Sequence, residues 1–299
     1  VMSARTGSAA EERPAGPLDL GPAIMFTPAD RPERFAKGLE RADAVILDLE
    51  DAVTPADRPA AREAVVAAWA ERQQRGLDPE RVVVRVNPVG TAAHEQDLAM
   101  LAQTGWRTVM LAKTESAEQV DAVVAGLDAH TRVVALCETA LGIVASARIA
   151  AHPRVVAMMW GAEDLVASMG GTCSRTSDGT YRDVVRHARS SVLLAAAAHG
   201  AAAWDAVFLD LKDHDGLAAE ARDAAAVGCA ATVCLHPGQV PVIREAYRPE
   251  SEAVDRARTL LAEAQRHPGA FSFEGAMVDE VVLAQARITL RRADAVDQG

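Results

Sequence analysis

The sequence is poor in aromatic residues, in net positive charge and in long apolar runs. Aromatic residues make up only 4% of the 299 positions, although 49% of the residues are hydrophobic and alanine dominates that set. Because alanine is the strongest helix former, this balance favours abundant, closely packed helices. The net charge of −11 argues against a nucleic acid or an anionic membrane as the partner.

Cysteine is also scarce, and its spacing excludes the common zinc motifs. The four cysteines form no C-x-x-C pair. Two of them fall inside apolar runs that are typical of strands, where a buried reduced thiol is expected. We therefore expect a reducing compartment and a cytoplasmic location. The cysteines are Cys137, Cys173, Cys229 and Cys234.

No segment has the character of a secretion signal or a membrane span. Residues 1–20 are rich in Ala, Gly, Pro and charge and lack an apolar core, so we predict a disordered tail there. No later apolar run approaches the length of a transmembrane helix.

What the sequence does contain is a regular alternation of short apolar runs and alanine-rich helical stretches. Most of the runs are continuously apolar, as expected for parallel strands covered on both faces. Eight such units over about 225 residues predict an α/β fold, a (β/α)8 TIM barrel. An open doubly wound sheet is the alternative, but the segment after the first strand, residues 26–30, is not a glycine-rich phosphate loop. The predicted strands are Ala23–Pro28, Ala44–Glu50, Val82–Asn87, Thr108–Lys113, Arg132–Glu138, Val155–Gly161, Asp205–Asp210 and Thr232–His236.

The chain continues beyond the barrel, which we place at residues 21–248. Residues 249–299 are predicted to form a C-terminal helical extension, with helices over Glu250–Arg266 and Val278–Arg292 and a loop over His267–Ala276. The barrel does not need this segment to close. We expect the extension to cover the active face or to contact a neighbouring subunit.

Ionisable side chains are concentrated where the predicted strands end. In a TIM barrel these ends form one face, and chemistry is found there. A barrel stabilised only by its core would not need such groups, so the pattern predicts a charged site at the barrel mouth. The residues are Asp48, Glu50, Asp51, Arg85, Asn87, Lys113, Glu138, Glu163, Asp164, Asp210 and His236.

Glu138 and Asp164 are the candidate metal ligands. They follow adjacent predicted strands, so their carboxylates can meet at the mouth. Two carboxylates completed by water and a chelating substrate suit Mg²⁺, or Mn²⁺, better than zinc. The alternative is that each carboxylate only caps the helix that follows it.

Arg85 is the candidate for recognising a carboxylate of the substrate. A guanidinium inside a strand must be paired, and arginine recognises carboxylates in a bidentate manner. The alternative is a structural salt bridge with the acidic cluster of Asp48, Glu50 and Asp51, and both roles can coexist. We assign Glu50 and Asp51 to the support of Arg85, and Asp48 has weaker support because it points away from Asp51 along a strand. Lys113 and His236 stay outside the predicted catalytic set.

At this point the motifs resemble a known family. The runs Phe-Thr-Pro-Ala-Asp-Arg-Pro-Glu-Arg-Phe, Ala-Val-Ile-Leu-Asp-Leu-Glu-Asp-Ala-Val, Val-Arg-Val-Asn-Pro, Glu-Thr-Ala-Leu-Gly-Ile, Gly-Ala-Glu-Asp-Leu and Leu-His-Pro-Gly-Gln-Val occur in order from about residue 21. Together they resemble the citrate lyase beta-chain-like coenzyme A ester lyases, within the HpcH/HpaI-type aldolases.

This resemblance implies roles for individual residues. Glu138 and Asp164 would bind Mg²⁺, which would chelate a 2-oxo acid such as glyoxylate, pyruvate or oxaloacetate. Arg85 would bind substrate oxygen and stabilise enolate charge on the thioester. Gly161, Ala162 and Glu163, from the Gly-Ala-Glu-Asp-Leu motif, would bind substrate.

The C-terminal extension also resembles this family. The run Phe-Glu-Gly-Ala-Met-Val-Asp, residues 273–279, resembles the Gly-x-x-Val-Asp loop of malyl-CoA and citramalyl-CoA lyases. Asp279 would then be the base at the acetyl methyl group in a neighbour's active site, which requires a homo-oligomer. Relatives imply a trimer or a hexamer. Without the resemblance, Asp279 reads as an N-terminal helix residue.

The expected activity is cleavage or formation of a carbon–carbon bond in a 3-hydroxyacyl-CoA such as malyl-, citramalyl- or citryl-CoA, with a 2-oxo acid and acetyl-CoA as the other side of the reaction. The alternatives are a metal-dependent class II aldolase on free 4-hydroxy-2-oxo acids, a subunit of a citrate-lyase-like complex, and a non-catalytic barrel. Three positions depart from the family pattern: Gly21-Pro22 in place of an Arg-Ser pair, Ala112 in place of Pro, and Arg58 in place of Lys. The first departure puts part of the substrate or nucleotide anchoring in question.

Overall fold

Eight parallel strands form a closed barrel in the computed structural model, which describes residues 17–267 and 269–297. The strands follow one another around the barrel in chain order, and the first pairs with the eighth through Ala23 and Thr232. The predicted TIM barrel is therefore confirmed. Strands β1 to β8 are Ala23–Pro28, Ala44–Asp48, Val82–Val86, Thr108–Leu111, Arg132–Cys137, Val155–Trp160, Ala202–Asp205 and Ala231–Cys234.

Helices surround the barrel and connect successive strands. One short helix, α6, lies in the connection after β6 and precedes the longer helix α7. The helices α1 to α9 are Phe35–Arg41, Arg58–Ala70, Ala92–Leu101, Ala117–Ala125, Ala140–Ala150, Ala162–Ser168, Asp183–Ala198, His214–Val227 and Val240–Tyr247. Within the described ranges, no helix is both long enough and apolar enough to cross a bilayer.

Side chains alternate between two cores along each strand. On β2, Ile46 points into a cluster that fills the barrel, while Val45 and Leu47 belong to the layer between strands and helices. This period of two is what a strand covered on both faces requires. The small alanine side chains of the helices allow that outer layer to pack closely against the sheet.

The seventh strand lies earlier than predicted. The prediction placed it at Asp205–Asp210, but the strand is Ala202–Asp205. The alanines that begin this strand are weak strand formers, whereas the apolar run Val207–Leu209 that follows it has the composition of a strand. The prediction was therefore shifted towards that run. The backbone carbonyl of Phe208 instead accepts a hydrogen bond from the Gln239 side chain at 2.8 Å, and Asp210 lies in an exposed loop.

The C-terminal extension has its own small core. It consists of α10 (Ser251–Ala264), a two-stranded antiparallel hairpin of β9 (Phe271–Phe273) and β10 (Ala276–Val278), and α11 (Glu280–Asp297). The two predicted helices are present, and the prediction of a plain loop over His267–Ala276 was wrong because it missed the hairpin. The short strands have no long alternating pattern that would have revealed them. The core residues are Ala257, Leu260, Val278 and Ala286.

The predicted N-terminal tail lies mostly outside the described residues, which begin at residue 17. Leu18 is buried in the cluster inside the barrel, and its backbone N–H donates to the carbonyl of Val156 at 3.2 Å. The ordered chain thus contacts the barrel before the predicted boundary at residue 21.

A buried ion pair joins two helices to the end of β3. Asp97 is fully buried and accepts hydrogen bonds from Arg62 Nε at 2.7 Å and from the side chain of Asn87 at 2.8 Å. It also accepts from the Asn87 backbone N–H at 2.9 Å. The carboxylate therefore links α2 and α3 to the end of β3.

Replacing Asp97 with alanine is expected to lower the free energy of unfolding by about 3 kcal/mol, because Arg62 would remain buried without its partner. Urea unfolding followed by circular dichroism measures the change. Glu95→Ala, an exposed acid on the same helix, is the control and should stay within about 0.5 kcal/mol of the parent protein. Equal stability of the two variants would contradict a stabilising role for Asp97.

Candidate active site

The ends of β2 to β6 bring charged side chains together at one mouth of the barrel. Arg85 comes from β3, Lys113 follows β4, Glu138 follows β5, and Asp164 lies in the first turn of α6 after β6. Glu50 comes from the loop after β2. The predicted charged site is therefore present as a spatial cluster.

Asp48 fixes the position of Arg85. Its two carboxylate oxygens accept from Arg85 Nε and Nη2, each at 2.6 Å. The same oxygens accept the backbone N–H groups of Glu50 at 2.9 Å and Ala52 at 3.0 Å. The guanidinium also stacks on the Phe26 ring, 4.6 Å from its centroid. Both charged side chains are buried, so the fork of Arg85 has one orientation.

The third nitrogen of Arg85 faces the other acids. Nη1 lies 3.1 Å from Glu50 Oε2 and 3.6 Å from Asp51 Oδ2. Burial acts to lower the pKa of Arg85, but the attraction of Asp48 and its hydrogen bonds outweigh burial and raise the pKa above its ordinary value. The salt bridge considered from the sequence exists, with Asp48 as its main partner, and it leaves Nη1 to Glu50 and Asp51.

Glu50 and Asp51 differ in their surroundings. Glu50 is buried and contacts two cations, Arg85 and Lys113, whereas the Asp51 side chain is 57% exposed at the rim. Burial raises the pKa of Glu50, partly offset by Arg85 and Lys113. Glu50 therefore bridges the two basic side chains, and Asp51 lies further from the centre.

Lys113 lies at the centre of the acidic groups. Its Nζ is 2.5 Å from Glu50 Oε1, 3.2 Å from Asp164 Oδ1 and 3.9 Å from Glu138 Oε1. Burial acts to lower its pKa, but the hydrogen bond with Glu50 and the nearby carboxylates raise it overall. The side chain is therefore a permanent cation at neutral pH.

Glu138 and Asp164 have the chemistry of a divalent cation site. Burial, with a contribution from Asp164, raises the pKa of Glu138 to about 8 against the opposite effects of Arg85 and Lys113. Such a carboxylate lacks enough positive charge nearby, and a divalent cation would supply it. A Cβ built on Gly161 would lie 2.9 Å from Glu138 Oε2, so the missing side chain leaves room for this carboxylate.

No cluster of three or more His, Cys, Asp or Glu side chains arranged to hold a metal occurs in residues 17–267 and 269–297. Two carboxylates completed by water and substrate oxygens are, however, a usual arrangement for Mg²⁺. The residues present fit a magnesium ion held by Glu138 and Asp164.

The segment 161–163 joins β6 to α6 beside Glu138. Gly161 is the N-cap residue of α6, and Ala162 begins the helix. The carboxylate of Glu163 accepts a hydrogen bond from the Ser174 hydroxyl at 2.6 Å and so contacts the loop that precedes α7. In that loop, Arg175 is paired with Glu220 at 2.5 Å, and it is not a free anion-binding group.

Three other residues singled out from the sequence lie away from this cluster. Asp279 caps α11 by accepting the backbone N–H groups of Val281 at 3.0 Å and Val282 at 3.2 Å, and among the described residues it has no contact with the mouth of its own barrel. His236 caps the short turn after β8 by accepting the Gly238 N–H at 3.0 Å. Asp210, predicted at a strand end, accepts the backbone N–H of Lys212 at 2.9 Å in its loop.

Sequence reasoning gave too little weight to Asp48 and Lys113. The prediction for Asp48 rested on strand alternation, which indicates the side that a residue faces but not its partner on the next strand. The pairing of β2 with β3 places Asp48 directly beside Arg85. Lys113 follows the end of β4, and this position was the one sequence feature that indicated a place in the site. Its backbone N–H donates to Glu138 at 3.1 Å, a contact that spacing alone does not reveal.

Comparison with known proteins identifies the same family that the motifs resemble. Residues 23–237 match the model of the HpcH/HpaI aldolase/citrate lyase family. A citrate lyase subunit beta-like protein of Mycobacterium tuberculosis is 55% identical over 91% of this chain and 96% of its own length. An L-malyl-CoA/beta-methylmalyl-CoA lyase of Cereibacter sphaeroides is 32% identical over 95% and 98% of the two chains.

The fold of this chain is also similar to that of a solved structure. The crystal structure of the M. tuberculosis protein CitE in complex with magnesium, acetoacetate and coenzyme A matches with a TM-score of 0.84 and 55% identity, over 93% of this chain and 99% of that one. The barrel, the charged mouth and the sequence similarity over nearly the whole chain all indicate the same family. This chain belongs to the HpcH/HpaI aldolase/citrate lyase family of enzymes.

Proposed function

We propose that the protein is a magnesium-dependent carbon–carbon lyase that cleaves a 3-hydroxyacyl-CoA, such as malyl-, citramalyl- or citryl-CoA, into a 2-oxo acid and acetyl-CoA. The observation that carries this proposal is the fixed guanidinium of Arg85, which interacts electrostatically with Glu138 at the mouth where Asp164 also lies. It combines an anion-binding group with a cation site in one barrel mouth. The coenzyme A and magnesium bound to CitE and the thioester substrate of the malyl-CoA lyase support the choice of substrate class.

The metal and Arg85 would act on different oxygens of the substrate. Glu138 and Asp164 would hold a Mg²⁺ ion, which would supply Lewis-acid polarisation of the substrate. Arg85 binds the thioester oxygen and stabilises the charge that collects there as the bond breaks. Because Asp48 already holds the guanidinium in place, Arg85 needs no reorganisation during the reaction. Glu50 and Asp51 keep its remaining nitrogen directed to the mouth, and Gly161, Ala162 and Glu163 shape the opposite wall.

Asp279 would complete the site from a neighbouring subunit. In the condensation direction its carboxylate takes a proton from the acetyl methyl group, and the new alkoxide takes up a proton from solvent. In cleavage the hydroxyl proton leaves to solvent, and the protonated carboxylate of Asp279 donates its proton to the enolate carbon. The hydrogen bonds that orient it come from the start of α11, so its second oxygen is available to a substrate. The hydrogen bonds of Asp279 among the described residues lie within the extension and not at its own barrel mouth, which supports delivery to another copy.

A homo-oligomer, a trimer or hexamer by the family resemblance, is part of this proposal. The extension exposes apolar side chains, with Met277 72% exposed and Val281 64% exposed. The barrel helices α5 and α7 also expose Val144 and Leu194, at 86% and 69%. Exposed apolar surface of this kind is typical of protein–protein contact sites. All four cysteines are free thiols, and three are buried, which supports the proposed reducing, cytoplasmic setting.

The direct test is cleavage of the three candidate thioesters by the purified protein, with the released 2-oxo acid trapped as a hydrazone and free thiol measured separately. We expect release of an oxo acid and acetyl-CoA in Mg²⁺, loss of cleavage to background after chelation, and recovery when Mg²⁺ is restored. Free thiol in the same assay would reveal thioester hydrolysis.

Heat-denatured protein and protein with Mg²⁺ replaced by Ca²⁺ are the controls for this assay. Absence of turnover on all three thioesters, with Mg²⁺ still bound, would contradict the proposal. It would favour an aldolase of free 4-hydroxy-2-oxo acids or a subunit of a larger complex.

A further inference from the structure

Lys113 is the sole cation within 4 Å of the Glu138 and Asp164 carboxylates in the part of the chain that the structure describes. Its Nζ is closer to Asp164, at 3.2 Å, than to Glu138, at 3.9 Å. The side chain is 28% exposed, so the ammonium is partly accessible to solvent. It therefore neutralises the same two groups that fit a divalent cation.

The ammonium and a divalent cation would compete for the same two carboxylates. Mg²⁺ sits about 2.1 Å from carboxylate oxygens, so an ion bound to Asp164 Oδ1 would lie at most about 5.3 Å from Nζ. Two cations at that distance repel each other where water is partly excluded. Glu50 can hold the lysine away from the ion, because it contacts Nζ at 2.5 Å and does not belong to the metal pair.

The backbone of Lys113 is consistent with a specialised role. Its φ angle is +51°, in the left-handed region that side-chain-bearing residues rarely adopt. This conformation directs the backbone N–H to Glu138 Oε1 at 3.1 Å while the side chain extends to Glu50 and Asp164. One residue thus contacts both proposed ligands, and such strain is concentrated at functional positions.

We propose that Lys113 is a built-in competitor of the divalent cation: its ammonium competes for Asp164 and Glu138, and it moves away from them, still held by Glu50, when the cation binds. Lys113 is then a positioning residue that sets the metal affinity of the site. This inference rests on the proposed metal site at Glu138 and Asp164, and it concerns metal binding without any substrate.

The test is titration of the full-length protein with Mn²⁺, followed by electron paramagnetic resonance of the free ion, without substrate. Lys113→Met is expected to bind Mn²⁺ at least about tenfold more tightly than the parent protein, because the competing charge is gone. Glu50→Gln is expected to weaken binding, because the lysine loses the position to which it withdraws. In the Lys113→Met background, Glu50→Gln should have a much smaller effect.

Lys212→Met, which removes the same charge from an exposed loop, is the matched control and should leave Mn²⁺ affinity within about twofold. Equal or weaker Mn²⁺ binding by Lys113→Met would overturn the proposal while leaving the metal site intact. Failure of the parent protein to bind Mn²⁺ would instead remove the proposed metal site, and this inference with it.

A second measurement follows the lysine itself. The chain has three lysines, Lys37, Lys113 and Lys212, so ¹³C-dimethylation of the protein gives few signals, and Lys113→Met identifies one of them. Methylation preserves the positive charge. Addition of Mg²⁺ is expected to shift the Lys113 signal and to leave the other two unchanged, whereas an unchanged Lys113 signal in metal-saturated protein would contradict its displacement.

Discussion

Replacing Arg85 with lysine is expected to lower kcat/KM for thioester cleavage by about 10²- to 10³-fold, the loss typical when one oxyanion-binding donor is removed. Lysine keeps the charge but cannot donate to Asp48 through two parallel bonds of 2.6 Å and also face the mouth. The charged group would remain near the carboxylate without holding the orientation that binds thioester oxygen. Steady-state kinetics on the preferred thioester measures the loss, and Mn²⁺ titration should show unchanged metal affinity.

Arg244→Lys is the matched control, because Arg244 pairs with Asp43 at 2.7 Å at the opposite end of the barrel. It should leave kcat/KM within about twofold of the parent, as expected for a surface substitution away from the site. The thermal midpoint of Arg85→Lys must also be measured, since Asp48 is buried. A folded Arg85→Lys protein with near-normal kcat/KM would exclude Arg85 from transition-state stabilisation.

Mixing two inactive variants is expected to restore activity if Asp279 acts in a neighbour's site. Glu138→Gln removes a metal ligand, and Asp279→Asn removes the base while retaining an N-cap for α11. Each protein alone should be reduced to near background. Random co-assembly places an intact barrel beside an intact extension in about a quarter of the sites, so about a quarter of the parent activity should return.

The control mixes Asp279→Asn with a protein carrying both substitutions, an assembly in which no site has both groups. Size-exclusion chromatography with light scattering must show that the subunits have exchanged. Exchange without recovered cleavage would contradict action between subunits, and normal activity of Asp279→Asn alone would limit Asp279 to the role of a helix cap.

Much of this architecture could be predicted from the sequence, because parallel strands buried on both faces give continuous apolar runs. The first strand was predicted at its observed bounds, and Arg85, Glu138 and Asp164 were predicted at one mouth because parallel strand ends must lie on the same face. The seventh strand was misplaced since alanine carries little strand signal. A short, partly exposed hairpin such as β9–β10 has too few residues to produce a pattern.

The parts of the site that could not be predicted depend on register and on side-chain reach. That Asp48 stands directly beside Arg85 follows from the pairing of β2 with β3, which no local pattern specifies. That Lys113 contacts three acids depends on its left-handed backbone and on the length of its side chain. The position of Asp279 relative to another chain is a property of an assembly and cannot be obtained from spacing within one chain.

The close approach of Gly161 to Glu138 offers a practical sequence marker. The φ angle of Gly161 is −133°, which any residue can adopt, so the backbone alone would accept alanine there. The space is tight, because the added carbon would lie 2.9 Å from one carboxylate oxygen of Glu138 and 3.0 Å from its Cβ. A larger residue at this point would therefore require the glutamate to shift. In surveys of uncharacterised relatives, this single position indicates whether the glutamate can pack against the start of α6 as it does in this chain.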